Sequence, residues 1–172
     1  MAEGIALKTL DSKEHGTPDW IIKKLLQHSS RTAFDLDPAA TPENAKAPVY
    51  YTQDQDGLSL PWNIRAPEKT LVFCNPPYGR DVGKWVRKAY EESFQDVISC
   101  LLLKVSSDTE WWHNYVMKAD SIQFIRGRVK YQGVSSGPAP FPSCIVVFRP
   151  NRCRAPWVRY PLFGTLEERE VW

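Results

Sequence analysis

Apolar and polar positions recur with two different periods along the chain. In "TPDWIIKKLLQHSS" (residues 17–30), Trp20, Ile21, Lys24 and Leu25 fall at helical spacing, and Pro18 suits the first helical position. "RDVGKWVRKAYEES" (80–93) places Val82, Trp85, Val86 and Ala89 on one side of a second helix. "DTEWWHNYVMKA" (108–119) predicts a third, with Asp108 as its cap and Glu110 in its first turn. Adjacent tryptophans cannot both face inward on one helix, so of Trp111 and Trp112 one is expected in the core and one at its rim.

Between the helices lie short apolar runs. "TLVFC" (70–74) and "DVISCLLLKV" (96–105) are apolar on both faces and predict central strands. "TAFDLDPAA" (32–40) and "APVYYT" (47–52) predict short strands, and "SIQFIRGRVKY" (121–131) and "SCIVVFRP" (143–150) two final ones. "QDQDGLSLPWN" (53–63) reads as a loop, because Asp-Gly is a turn signal and Pro61 interrupts pairing. "QGVSSGPAPFP" (132–142) reads as a flexible loop.

Strands alternating with helices predict an α/β fold with a mostly parallel sheet covered on both faces. Ligands of such sheets bind beyond the carboxyl ends of the strands. That rule selects "DLDPAA", "DQDGL", "NPPYG" and "KVSSD". At 172 residues the chain fits one domain with one core. Its 42% hydrophobic and 24% charged residues are an ordinary globular balance.

No apolar run approaches a membrane span, and the first residues lack a signal-peptide pattern. The four cysteines form no CxxC pair and read as reduced core thiols of a cytosolic protein. His15, His28 and His113 are scattered, so no metal site is expected. The net charge of +2 is unevenly spread: residues 119–164 hold seven basic side chains against one acid, Asp120. That asymmetry points to an anionic partner, most simply nucleic acid. "TLEEREVW", which turns acidic, is expected to lie outside any anion-binding face.

The "NPPY" run carries the sharpest chemistry. Pro76 and Pro77 remove two backbone donors and fix two φ angles, and Asn75 before them is pushed to an extended conformation. Gly79 is expected to let the chain turn sharply into the next helix. A strand end then offers a carboxamide oxygen, a rigid carbonyl and an aromatic face. These suit a planar substrate bearing an NH₂ group. The Asn75 oxygen and the Pro76 carbonyl accept the two amino hydrogens, and Tyr78 stacks on the ring. Two acceptors draw the amine out of conjugation and expose its lone pair for attack.

The motif resembles that of amino methyltransferases that use S-adenosylmethionine. The ordered set "TPDW", "FDLDPAA", "DGLSLPW", "FCNPPYG", "KWVRKA", "TEWW", "IRGRVKY" and "FPSCIVVF" is similar to the phage and prophage DNA adenine-N6 methyltransferase (Dam-like) family, over roughly residues 17–150. The resemblance implies a Rossmann-like class I methyltransferase fold, mostly parallel, with an antiparallel C-terminal strand and helices on both faces. It implies one methyltransferase domain over 1–172, whose basic part at about 120–160 contacts double-stranded DNA.

It also implies S-adenosylmethionine as cofactor. "FDLDPAA" lacks the glycine-rich F-x-G-x-G loop of methyltransferases in general, in agreement with the Dam-like family. At strand spacing Asp35 and Asp37 face one side, which assigns Asp37 to the ribose or amino-acid end and Asp35 to the same pocket. Asp56 accepts from the cofactor adenine, and Leu58 covers its ring. Thr17, with Pro18 opening the helix, holds the methionine carboxylate near a helix N-terminus. Asn75 lies close to the transferred methyl.

An amino group inside a duplex must be flipped out before it can react. Tyr78 stacks on the extruded base, and Tyr131 is the second aromatic in reach. Arg126, Arg128 and Lys130 alternate along their strand and meet phosphates. The 132–142 loop is expected to contact a groove. The Asn-Pro pair by itself does not separate adenine-N6 from cytosine-N4, RNA or a protein glutamine amide. An inactive DNA-binding homologue is the reading from another class, against which the intact "NPPY" stands. Target sequence and oligomeric state are not legible.

Overall fold

The predicted segments assemble into one sheet in the computed structural model, which describes residues 16–29, 31–133 and 137–150 and the backbone of 157–162. In chain order the elements are α1 (Asp19–Ser29), β1 (Leu36–Asp37), β2 (Val49–Tyr50), β3 (Thr70–Cys74), α2 (Val82–Glu92), β4 (Val97–Lys104), α3 (Glu110–Asn114), β5 (Ser121–Ile125), β6 (Ser143–Phe148) and β7 (Trp157–Leu162). The strand order is β2-β1-β3-β4-β6-β5-β7. β2, β1, β3 and β4 run parallel, while β6 is antiparallel to both of its neighbours, β4 and β5. β7 is parallel to β5. The architecture is thus mixed α/β, and the reversed strand lies inside the sheet rather than at its edge.

Alternation along the central strands divides the core in two. Val72, Cys74, Leu101, Leu103, Cys144 and Val146 face Trp85, Val86 and Ala89 of α2 and Trp112 of α3. Leu71, Phe73, Cys100, Leu102, Ile145 and Val147 face Ile21 and Leu25 of α1 together with Val129, Tyr131 and Ala139. Each fully buried aliphatic side chain contributes roughly 1.5–3 kcal/mol, so the two layers lock the strand ends in place. Trp112 is buried and Trp111 packs half-buried against it, as helix geometry demands.

The structure corrects several boundaries. β1 is only two residues long, because pairing stops at Pro38. α3 starts after Thr109, not after Asp108, and breaks at Tyr115 (φ −126°, ψ −52°). β5 ends at Ile125 rather than running to Tyr131, since Gly127 adopts a left-handed φ of 82°. Arg126, Arg128 and Lys130 are therefore exposed on an irregular segment and not ranked along one strand face. Gly79 is not in the left-handed region, and a Cβ there would meet nothing within 4 Å.

Cys74, Cys100 and Cys144 are free and buried. Among the described residues no helix is long and apolar enough to cross a membrane, and no group of His, Cys, Asp and Glu could hold a metal. His15, Ser30, Cys153, Arg152, Arg154, residues 134–136 of the predicted loop and the acidic "TLEEREVW" lie outside the described residues.

Candidate active site

The carboxyl ends of β1, β2 and β3 open on a cleft of about 290 Å³. Its wall on the β1 side is Pro38, Ala39, Ala40, Thr41 and Asn44; Thr52, Gln53, Asp56 and Gly57 follow β2, Asn75 and Pro77 follow β3, and Trp85 comes from α2. The lining mixes apolar faces with a few polar side chains, the composition of a small-molecule site.

Local bonds shape each wall. Asp37 is 3% exposed, and its two oxygens accept the backbone N–H of Lys46 (3.0 Å) and Ala39 (3.4 Å). It thereby ties both ends of the 38–46 loop. Burial pushes its carboxyl up to about 6, opposed by those two N–H groups and by the Lys46 charge. Inside the loop, the Asn44 side-chain oxygen accepts the Thr41 N–H at 2.8 Å. Lys46 extends its ammonium to Asp19 (3.2 Å) and Gln132 (3.4 Å), which joins this loop to the start of α1.

Across the cleft, Asp56 has a left-handed φ of 53° and accepts the Leu58 N–H at 3.2 Å. A Cβ on Gly57 would collide with the Pro38 carbonyl and lie 3.2 Å from the Trp85 ring. The indole N–H of Trp62 donates to the Gly57 carbonyl at 2.8 Å, and the Trp62 ring stacks on Trp85 with centroids 6.3 Å apart. The loop is thus pinned from behind and pressed against the β1 wall.

The NPPY segment closes the remaining side. Asn75 is half-buried, Pro76 is buried behind it, and Pro77 is exposed on the cleft rim. The Tyr78 hydroxyl lies 3.1 Å from the Asn75 side-chain oxygen, 3.3 Å from the Leu102 carbonyl and 2.8 Å from the Tyr131 hydroxyl. Its ring meets Phe141 edge-on at 5.3 Å. Burial, and then the neighbouring Tyr131, raise the Tyr78 phenol well above its usual range.

The predicted residues separate accordingly. Asp56, Asn75 and Pro77 line the cleft; Asp37 lies behind its wall; Leu58 packs into the core beside it. Thr17 is buried just ahead of α1, and neither it nor Pro18 lines the cleft. Asp35 neither lines the cleft nor lies with Asp37 behind its wall. Its carboxylate takes Arg31 (2.7 Å), Arg65 (3.3 Å) and the Leu71 N–H (2.7 Å), level with the start of β3. The shared face expected of a strand fails because Asp35 precedes the two paired residues. Tyr131 belongs to no strand and is only 5% exposed.

The strand-end segments do not include the cleft residues Thr41, Asn44, Thr52, Gln53 and Trp85. The strand-end rule reaches Thr52 and Gln53 once β2 is placed. Nothing local marks Asn44 or Trp85, which arrive through a folded-back loop and a helix face.

A family model described as DNA N-6-adenine-methyltransferase (Dam) matches residues 7–153. The chain is 26% identical over 149 residues to a DNA N-6-adenine-methyltransferase of Haemophilus phage HP1 (strain HP1c1), covering 84% of this chain and 83% of that protein. It is 31% identical over 93 residues to a DNA N-6-adenine-methyltransferase of Escherichia phage T1, covering 54% of this chain and 37% of that protein. With the model spanning most of its length, the chain belongs to the DNA N-6-adenine-methyltransferase (Dam) family.

Proposed function

We propose that this chain transfers a methyl group from S-adenosylmethionine to the N6 amine of an adenine flipped out of duplex DNA. The observation that carries this reading is that a single cleft runs from the ends of β1 and β2 to Asn75 and Pro77. A cofactor seated at the first two strands therefore abuts the amine acceptors at the third. The sheet order, with β6 as its reversed strand, supports a Rossmann-like class I methyltransferase fold.

The cleft fits the cofactor in its donor set. Asp56, Gln53 and Thr52 offer acceptors for ribose hydroxyls and the adenine amine, while Pro38, Ala39 and Trp85 offer apolar faces. The missing side chain of Gly57 lets its loop close against the Pro38 carbonyl, which fixes the spacing of the two walls. S-adenosylmethionine, when bound, supplies an electrophilic methyl on a sulfonium.

Asn75 and the Pro76 carbonyl accept the two hydrogens of the target amine and hold its lone pair toward the cleft. Pro76 and Pro77 keep those acceptors rigid, so little reorganisation accompanies reaction. The Tyr78 ring stacks on the flipped base and offsets about 1–3 kcal/mol of its extrusion. Arg126, Arg128 and Lys130, all exposed, hold the phosphates of double-stranded DNA.

The test is incubation of the protein with tritiated S-adenosylmethionine and unmethylated duplex DNA, followed by digestion and nucleoside separation. Label in N6-methyladenine is expected. Label in N4-methylcytosine overturns the substrate, and no label despite cofactor binding points to RNA or protein as acceptor.

A further inference from the structure

We propose that Tyr131 is a positioning residue of this reaction: its hydroxyl holds that of Tyr78, and so fixes the Tyr78 ring and the Asn75 carboxamide before DNA arrives. The inference rests on the methyltransferase reading. It replaces the expectation that Tyr131 stacks on the base.

Proton accounting carries the assignment. The Tyr78 hydroxyl has one hydrogen and three oxygen neighbours. Asn75 Oδ1 at 3.1 Å and the Leu102 carbonyl at 3.3 Å can only accept. They compete for that one hydrogen, and Tyr131 at 2.8 Å is the one neighbour that can also donate: when it does, Tyr78 keeps its hydrogen for Asn75 or Leu102. Burial raises both phenols above their ordinary range, which keeps both protons in place at neutral pH. The result is a connected chain of contacts from Tyr131 through Tyr78 to Asn75, two residues of the acceptor motif gripped by a third one 53 positions beyond Tyr78.

Tyr131 is itself held, although no strand contains it. One residue later, Gln132 and Gly16 exchange both backbone bonds (2.8 and 3.1 Å). Two residues earlier, the Val129 carbonyl accepts the Ala139 N–H at 2.8 Å. A hydroxyl on so fixed a backbone is an anchor. With its hydroxyl anchored and its flank on Phe141, the Tyr78 ring keeps one plane, and a flipped base meets a preformed stacking face. At 5% exposure Tyr131 cannot offer a face of its own to that base.

The experiment is a double-mutant cycle of Tyr131→Phe and Tyr78→Phe in the full chain. Initial rates with tritiated cofactor on unmethylated duplex DNA give kcat and KM for each variant. Tyr131→Phe is expected to lower kcat about fivefold, the factor for one net hydrogen bond. KM for S-adenosylmethionine is expected to stay within twofold, a split that general destabilisation would not produce. The double variant is expected to be no slower than Tyr78→Phe alone. Multiplying effects, or full activity of Tyr131→Phe, overturn the inference. The same cycle read by urea denaturation tests the bond apart from turnover: non-additive losses are expected, and additive ones overturn it. A wild-type protein that labels no DNA, with the denaturation cycle still coupled, refutes the DNA-methyltransferase reading and with it this role in base stacking, leaving only a structural bond.

Discussion

Gly57 meets the carbonyl oxygen of Pro38 with no room between them for a side chain. The two residues belong to different walls of the cleft, so this contact sets its width. Gly57→Ala forces the walls apart, and such overpacking costs about 1–3 kcal/mol. Affinity for S-adenosylmethionine is expected to fall about tenfold or more by calorimetry. Gly79→Ala, where a Cβ meets open space, is expected to leave that affinity within twofold.

Tyr78→Ala removes the stacking ring without touching the β1 and β2 walls. Cofactor affinity is expected to persist while kcat/KM on DNA drops about 10- to 100-fold, the scale of one base–aromatic stack. Undiminished turnover would remove Tyr78 from its role.

Asp35 and Asp37, two residues apart, are expected to behave differently. Asp35→Ala strands the Leu71 N–H, removes the Arg31 ion pair and leaves Arg65 with Glu68. Stability should fall by about 1–3 kcal/mol, mostly from the unpaired N–H, with cofactor affinity unchanged. Asp37→Ala unties the 38–46 loop, and cofactor affinity should weaken. Calorimetry on both variants separates the two roles.

Asp37 also gives a pH signature. Its folded pKa, about 6, lies above the ordinary 3.8. Between those values the folded protein holds a proton that the unfolded chain has lost. This group's contribution to stability is therefore largest at low pH, declines as pH rises from about 4 to about 6, and is flat above that. The difference is roughly 3 kcal/mol across the window. Urea denaturation at a series of pH values should show that component in the wild type and not in Asp37→Asn. Equal slopes would mean that Asp37 titrates normally.

The exposed Arg126, Arg128 and Lys130 should each hold a phosphate. Replacing any one by alanine is expected to weaken DNA binding across sequences and to reduce the salt slope of log K by about 1. Unchanged slopes for all three would place the DNA path elsewhere.

Much of this was legible along the chain. Continuous apolar runs and helical stripes of period 3.6 are local signals, and they located β3, β4, β6, α1 and α2 within a few residues. The strand-end rule picked Asp56 and Asn75 because it needs only the position where an apolar run stops. Boundaries failed where backbone geometry overrode composition, as at Gly127, whose left-handed turn ends β5 six residues early.

What sequence alone determined was the inventory: an α/β chain with an NPPY turn at a strand end and a basic C-terminal half. Tertiary structure alone decided how that inventory is wired. Whether Asp37 faces a ligand or its own loop depends on where Lys46 comes to rest. That the Tyr131 hydroxyl comes to 2.8 Å from that of Tyr78, 53 residues away, is likewise set by packing. Spacing along a strand fixes only which face a side chain leaves from. Its partner is chosen by the packing of segments remote in the chain, and no local periodicity encodes that.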